Sequence, residues 1–200
     1  MMPLNITKTL VTTLALSTFA LGAHAETWTF DSSNSRISFG SVKQGDIGES
    51  HGLSGIKGTV SADGAVTATI DLSTVDTDID VRNERMIKHV FKNAPDAKLT
   101  ATLDMDALKA MAPGDTTTIL VEGALEFLGE EIPLDVDMFV MRATGDKVVA
   151  VSDGMVYLST EELGINAGID MLKEIAGLDS ITRATPVSIR FVFNAKDGAS

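Results

Sequence analysis

Apolar residues occupy every second position over several stretches of this chain. The longest unbroken set consists of Ile132, Leu134, Val136, Met138 and Val140. Comparable sets cover 119–127 and 187–193, and shorter ones lie at 28–30, 37–39 and 66–72. Because successive side chains of a strand face opposite sides of a sheet, each set predicts a strand with one face turned to an apolar interior.

Turn-forming residues separate these alternating runs. They are Asp63-Gly64, Pro113-Gly114-Asp115, Gly129-Glu130, Gly145-Asp146 and Asp153-Gly154. The segment 128–131 joins two long alternating stretches with few residues between them, which predicts a hairpin. Several strands in series that are joined by short turns are typical of an all-β sandwich or barrel.

Three segments have helical rather than alternating spacing. Residues 82–91 and 104–111 predict short helices, and Pro113-Gly114 follows the second of them. Residues 167–178 carry an apolar stripe with charged residues opposite, which predicts an amphipathic helix. The chain has no internal repeat and no linker long enough to divide two domains. We therefore expect a single, mainly β domain with short helices near 82–91 and 167–178.

The start of the chain differs from the rest. Lys8 supplies a positive charge, an uncharged apolar and small-residue run follows over 9–22, and Ala23-His24-Ala25 suits a signal peptidase. This layout predicts a secretory signal peptide over 1–25, cleaved after Ala25, and a mature domain over 26–200. The apolar run is too short and too rich in Thr and Ser for a membrane-spanning helix, which needs about 20 apolar residues.

The charge of the chain excludes some partners. Its formal net charge is -12, and removal of residues 1–25 takes away Lys8 and no acid, so the mature domain is more acidic still. Such a surface repels nucleic acid and anionic lipid headgroups. The chain has no cysteine, which excludes disulfides and leaves stability to packing and hydrogen bonding.

Residues that commonly carry catalysis are few. Beyond residue 25 the only histidines are His51 and His89, and the chain contains no H-E-x-x-H, G-x-S-x-G or glycine-rich phosphate motif. His51 lies in a polar stretch typical of a loop or strand end. We therefore predict no catalytic residue, no cofactor beyond a bound lipid, and no metal site. A closed barrel of eight strands has room for one small ligand, although the same apolar residues also suit a packed core.

Several motifs resemble those of a known family. They are WTFDSSNSRISF at 28–39, IDLSTVDT at 70–77, RNERM at 82–86 with Phe91 downstream, GALEFLG at 123–129 and LGI at 163–165. In this order, behind a signal peptide, they resemble the YceI-like family of exported bacterial proteins, also called polyisoprenoid-binding. The resemblance implies an extended, lipocalin-like antiparallel β-barrel of about eight strands that encloses a long apolar ligand. Asn83 and Arg85 stand where the family has Asp and His. The segment 167–180 is longer than the usual family connection, and we expect it to reshape or cap one end of the barrel.

On this resemblance we predict a periplasmic carrier that encloses an isoprenoid, a quinone or a fatty-acid-like molecule. The candidate wall residues are Phe39, Val121, Leu125, Phe127, Leu134, Val136, Met138, Phe191 and Phe193. Alternation alone does not decide which strand face is the inner one. Arg82, Arg85 and His89 are candidates for polar contacts at the rim, and the alternative for the two arginines is a solvated helix face.

Two other functions compete with the carrier. One is an interaction or stress-response module whose barrel is filled by its own side chains, so that interior volume separates it from a carrier. The other is an enzyme acting on an apolar substrate, which requires inward Asp, Glu or His with a shifted pKa. We expect no nucleic-acid partner and at most transient membrane contact through apolar rim residues, and we leave a homodimer open.

Overall fold

The computed structural model describes residues 27–143 and 147–196. The predicted signal peptide Met1–Ala25 and the predicted turn Gly145-Asp146 lie outside the described residues. The cleavage site and the boundary of the mature domain therefore stay predictions. None of the helices within the described ranges combines the length and the apolar character needed to cross a membrane.

Strands dominate the described part of the chain. They are β1 (Thr27–Phe30), β2 (Arg36–Lys43), β3 (Ile47–Leu53), β4 (Ile56–Val60), β5 (Ala65–Asp71), β6 (Asp96–Thr102), β7 (Thr116–Phe127), β8 (Glu130–Arg142), β9 (Lys147–Ser152), β10 (Val156–Ser159) and β11 (Ala184–Lys196). On β8 the even-numbered residues from Ile132 to Val140 are buried or half-buried, while the odd-numbered residues between them are exposed. The alternation read from the sequence therefore marks the inner face of the sheet.

Eight strands close into an antiparallel barrel. Their order is β1-β4-β5-β6-β7-β8-β9-β11, and β11 returns to pair with β1, so that Thr27 lies opposite Lys196 and Phe30 opposite Phe193. Each neighbouring pair in this ring is antiparallel. The predicted antiparallel barrel of about eight strands is confirmed, and closure leaves the ring without a free edge.

The last strand extends the barrel beyond this ring. One edge of β11 pairs with β9 over 190–194 and with β10 over 184–187. Its other edge pairs with β1 over 193–196 and with β2 over 187–190, and β2 pairs in turn with β3. β2, β3 and β10 therefore wall a second section of the barrel, continuous with the first.

The β7–β8 hairpin forms where local sequence predicts it. Phe127 pairs with Glu130, so only Leu128 and Gly129 make the turn. Their φ angles are 53° and 90°. Two successive residues with positive φ are typical of a type I′ turn, whose twist matches that of the two strands. The predicted hairpin at 128–131 is confirmed.

Short helices complete the fold. α1 (Asp80–Arg85) continues as a π-helical turn over Met86–Val90, and it is followed by α2 (Met105–Lys109) and α3 (Asn166–Ile175). α3 is shorter than the predicted 167–178, because the amides of Gly177 and Leu178 bond back to carbonyls of its last turn.

α3 packs closely on the π-helical turn. Gly168 is buried at the contact, where an added Cβ would lie 2.3 Å from the His89 carbonyl oxygen. Ile169 and Leu172 of α3 face the barrel interior. The helix thus lies over the section walled by β2, β3 and β10, at the place where the long connection predicted a cap.

Candidate functional site

The inward faces of the strands and helices enclose two adjoining cavities. The larger has a volume of about 460 Å³ and lies in the section walled by β2, β3, β10 and α3, and the smaller has about 130 Å³ and lies within the ring. The residues that line both are Leu99, Leu134, Val136, Ile189 and Phe191. The cavities therefore meet at one level of the barrel, where the shared lining is apolar.

All nine predicted wall residues line this space. Val121, Met138 and Phe193 line the smaller cavity, and Phe39, Leu125 and Phe127 line the larger one. The residues common to both are Leu134, Val136 and Phe191. Strands β2, β7, β8 and β11 bring together side chains that lie far apart in the sequence. Their contact with a ligand stays a prediction.

The smaller cavity ends at α2. Met105 and Leu108 line it there, and so do Trp28 and Arg142 from the strands. The guanidinium carbon of Arg142 lies 5.4 Å from the centre of the Trp28 ring, within the range of a cation–π contact. This end of the barrel is therefore closed by packed apolar side chains and one arginine held against an indole.

One end of the larger cavity is charged. Its lining there includes Lys43, Glu49, His51, Arg82 and Arg85, which we call the charged cluster. β2 and β3 contribute the first three residues and α1 contributes the two arginines. The arginines are three positions apart on a helix and so share one of its faces.

Strand alternation turns the β2 and β3 members of the charged cluster inward. The odd-numbered residues of 37–43 and 49–53 all line the larger cavity. Phe39 pairs with His51 across the two strands, and their ring centres are 5.3 Å apart. His51 is therefore a buried residue within a strand, and the loop or strand-end position predicted for it is wrong, because β3 continues through the polar stretch to Leu53.

Glu49 is the counter-ion of the charged cluster. Its Oε1 accepts hydrogen bonds from Lys43 Nζ at 2.9 Å and from Arg82 Nη1 at 2.8 Å. Arg82 also donates through Nη2 to the Thr77 carbonyl oxygen. The Thr77 hydroxyl donates to Asn83 Oδ1 at 2.6 Å. These bonds hold α1 against β3 and fix where the arginines lie.

The environment sets the charges of Glu49 and His51. Burial raises the pKa of Glu49, but the hydrogen bonds from Arg82 and Lys43 outweigh it and leave the pKa below its ordinary value. Burial lowers the pKa of His51, and the positive charge of Arg82 lowers it further. At neutral pH, Glu49 is therefore an anion and His51 is uncharged.

Two buried side-chain nitrogens of the charged cluster have no hydrogen-bond partner within the described structure. They are the ring nitrogen Nδ1 of His51 and Nε of Arg82. The other ring nitrogen of His51, Nε2, lies 3.2 Å from Ser41 Oγ. Buried polar groups are almost always hydrogen-bonded, so unpaired ones in a cavity indicate that a further group belongs there.

The predicted rim residues divide into two kinds. Arg82 and Arg85 are half-buried and line the larger cavity, so they do not form a solvated helix face. His89 lines neither cavity. A regular helix would place it on the same face as Arg85, four positions earlier. His89 instead belongs to the π-helical turn over Met86–Val90, the segment on which α3 packs.

An opening lies beside α1. Ile79 and Val81 line the larger cavity, yet they are 47% and 48% exposed. Leu172 of α3 and Ala176 directly after it line the same cavity, and Ile175 is 40% exposed. An apolar molecule therefore has a route between solvent and interior that is bordered by apolar side chains.

Lys43, Glu49 and His51 were missed as candidate site residues. The signal available was the apolar pair Ile37 and Phe39, whose alternation continues through Ser41 and Lys43. A search for alternating apolar residues does not detect this continuation, because the inward positions there are polar.

Within residues 27–143 and 147–196, no three side chains of ligand type come together as a metal site. The site is thus suited to burying apolar surface and recognising charge.

Known proteins share this fold. A family model described as a YceI-like domain matches residues 28–193. A polyisoprenoid-binding domain from Saccharophagus degradans implicated in plant cell wall breakdown has 27% sequence identity and a TM-score of 0.82, covering 84% of this chain and 98% of that chain. BcnA of Burkholderia cenocepacia has 17% sequence identity and a TM-score of 0.61, and the match covers 82% of this chain and 98% of that chain. No curated protein matches the sequence significantly.

Proposed function

This chain belongs to the family of YceI-like domains, and we propose that it binds a long-chain apolar or amphiphilic molecule inside its barrel. Isoprenoids, quinones and fatty-acid-like molecules are the candidate ligands. A solved structure 27% identical to this chain is described as a polyisoprenoid-binding domain, which supports a ligand of this kind. The bound molecule would be cargo, and the protein a carrier.

The observation that carries the proposal is the cavity itself. A volume of about 460 Å³ lies within the range of roughly 300–1,000 Å³ found for ligand pockets. Each buried methylene contributes about 0.8 kcal/mol, so ten of them give about 8 kcal/mol, which corresponds to a dissociation constant near 1 μM before the costs of immobilisation. An apolar chain could therefore bind firmly with few polar contacts.

The two competing functions fit less well. An interaction module with a packed barrel requires a filled interior, whereas the lining residues here enclose open volume. An enzyme requires inward titratable groups with shifted pKa, and Glu49 and His51 meet that description. Both shifts, however, favour the charge that each residue already has at neutral pH, and Glu49 is engaged by two cations. We therefore assign these residues to recognition and propose no catalysis.

We also propose that the protein acts in the periplasm after cleavage behind Ala25. The support is the layout of residues 1–25 together with the acidic, cysteine-free sequence that follows. An apolar molecule that crosses an aqueous compartment requires an enclosed carrier. The expected outcome is a mature protein that begins at Glu26 and is recovered in the periplasmic fraction, as measured by intact mass. A full-length protein retained in the cytoplasm would contradict this part of the proposal.

Native mass spectrometry tests the binding proposal directly. Protein purified without added lipid should carry a ligand mass, or should take up prenyl and acyl probes to a one-to-one complex.

Leu134→Trp should weaken binding at least about tenfold. Leu134 lines both cavities, and the larger indole side chain would fill the space where they meet.

Asp135→Trp is the matched control. It places the same indole on the outer face of the same strand, where Asp135 is exposed, and binding should be unchanged. Cooperative thermal unfolding of both variants would show that they fold. A wild-type protein that has a clean ligand-free mass and takes up no probe would overturn the proposal. Equal binding by both tryptophan variants would place the ligand outside the barrel.

A further inference from the structure

The charged end of the larger cavity indicates what kind of head the ligand has. We infer that the ligand is an anionic amphiphile, a single long apolar chain that ends in a carboxylate or a phosphate, and that this head lies against Arg82 and Arg85. The inference rests on the proposed binding function and adds to it the charge of the ligand and the end of the barrel where its head lies.

The lining of this cavity is positive although the chain is acidic. The chain has a formal net charge of -12, yet the charged cluster contains three cations and one anion. Glu49 already accepts hydrogen bonds from Lys43 and Arg82. Arg85 forms no ion pair with any residue in the described ranges. A net positive charge thus faces the cavity without a protein counter-ion.

The acids near the charged cluster do not neutralise it from within. Asp76, Asp78 and Asp80 precede or begin α1, and Glu84 lies between the two arginines. All four are exposed, and none of them lines the cavity. Water screens charges on that side, whereas charges that face a cavity of low polarity interact over a longer range. The potential felt by a bound head is therefore dominated by the cations of the charged cluster.

The unpaired nitrogens of Arg82 and His51 favour a hydrogen-bonding group at the same place, and Arg82 requires an acceptor. Arg82 Nε carries a hydrogen that meets no acceptor within the described structure. If the Ser41 hydroxyl donates to Nε2 of the neutral His51, the ring hydrogen lies on the unpaired Nδ1. Carboxylates and phosphates present several lone pairs and form the strongest hydrogen bonds with arginine. A neutral alcohol or quinone head would leave Arg85 without a counter-charge, which is costly in a partly buried position.

Ligands with identical tails and different heads test the inference. Hexadecanoic acid is compared with hexadecanol, and geranylgeranyl phosphate with geranylgeraniol, by displacement of a fluorescent apolar probe from the mature protein. The anionic member of at least one pair should bind about tenfold more tightly than its alcohol, which is the effect expected of charge-assisted hydrogen bonds. The carboxylate and phosphate pairs separately report which head the site prefers.

Arg85→Gln should reduce the ratio of anion to alcohol affinity by about tenfold, and Arg85→Lys should retain most of it. Lys88→Gln is the matched control, since it removes the same charge from an exposed position that does not line the cavity, and it should leave the ratio unchanged. Thermal unfolding checks that each variant folds. Tight binding with equal affinity for acids and alcohols would overturn the anionic head while preserving the carrier function. Failure of all four ligands to bind would overturn both.

Discussion

Replacing Gly168 with alanine tests how α3 is held over the charged end of the barrel. Gly168 is buried where α3 meets the π-helical turn. An added Cβ would lie 2.3 Å from the His89 carbonyl oxygen and 2.7 Å from the Val90 Cα. Both obstacles are backbone atoms, which cannot turn aside as a flexible side chain can. The two elements must therefore separate by about 1 Å to restore ordinary van der Waals distances.

Two opposing effects decide the result. Glycine to alanine within a helix gains about 1 kcal/mol of helix propensity. Overpacking of a well-fitted contact costs about 1–3 kcal/mol, and a backbone obstacle favours the upper part of that range. We therefore expect Gly168→Ala to lower the free energy of unfolding by about 1–2 kcal/mol, and the melting temperature by about 2–8 °C for a domain of this size.

Urea unfolding and calorimetry measure this change, and Gly154→Ala is the matched control. Gly154 has no atom within 4 Å of an added Cβ, so its replacement should change the free energy of unfolding by no more than about 1 kcal/mol. A second measurement follows ligand release, which should be faster in Gly168→Ala because Ile169 and Leu172 of the displaced helix line the cavity. If Gly168→Ala is as stable as the wild type or more stable, α3 does not pack at this distance and the reasoning is refuted.

Three further predictions concern pH and packing. The pKa of His51 is lowered from 6.5, so the folded state binds fewer protons than the unfolded state and stability should decrease as the pH falls below 6.5. His51→Gln should lose less stability there in urea unfolding across a pH series, and equal losses would contradict the prediction. The pKa of Glu49 is lowered from 4.5, so the stability contributed by its ion pairs should be complete above pH 4.5 and lost at lower pH, but absent at every pH in Glu49→Gln. Phe191→Ala should lower the free energy of unfolding by about 3 kcal/mol, at the lower end for a buried ring because one side of it faces a cavity. Tyr157→Ala, at a position that is 68% exposed, should lower it by less than about 0.5 kcal/mol. Similar losses in the two variants would argue against the assigned inner face.

Local sequence was sufficient to predict the long strands and the tightest turn. The alternation at 119–127 and 132–140 follows from the two-residue repeat of a strand, and Leu128-Gly129 adopts the backbone that a two-residue hairpin requires. The wall residues could be chosen for the same reason. Once a barrel closes with its apolar faces inward, every such set must contribute to the interior.

The charged cluster could not be predicted in this way, although Arg82 and Arg85 were named as candidates for polar contacts at the rim. Lys43, Glu49 and Arg82 have no common spacing in the sequence, and they meet because β2 pairs with β3 while Thr77 and Asn83 anchor α1 beside them. Polar residues at inward positions also look like an ordinary exposed stretch when only the sequence is read. Nothing local distinguishes an arginine facing solvent from one facing a cavity.

The sequence by itself determined the long strands, the hairpin, the family and the apolar character of the interior, because each depends on side-chain periodicity or on motifs within a short segment. The tertiary structure decided which face is inner, how β11 joins two sections of barrel, and that one end of the larger cavity is positive. These features depend on pairings between distant residues, such as Thr27 with Lys196. Such pairings arise from closure of the whole sheet, and no single segment encodes them.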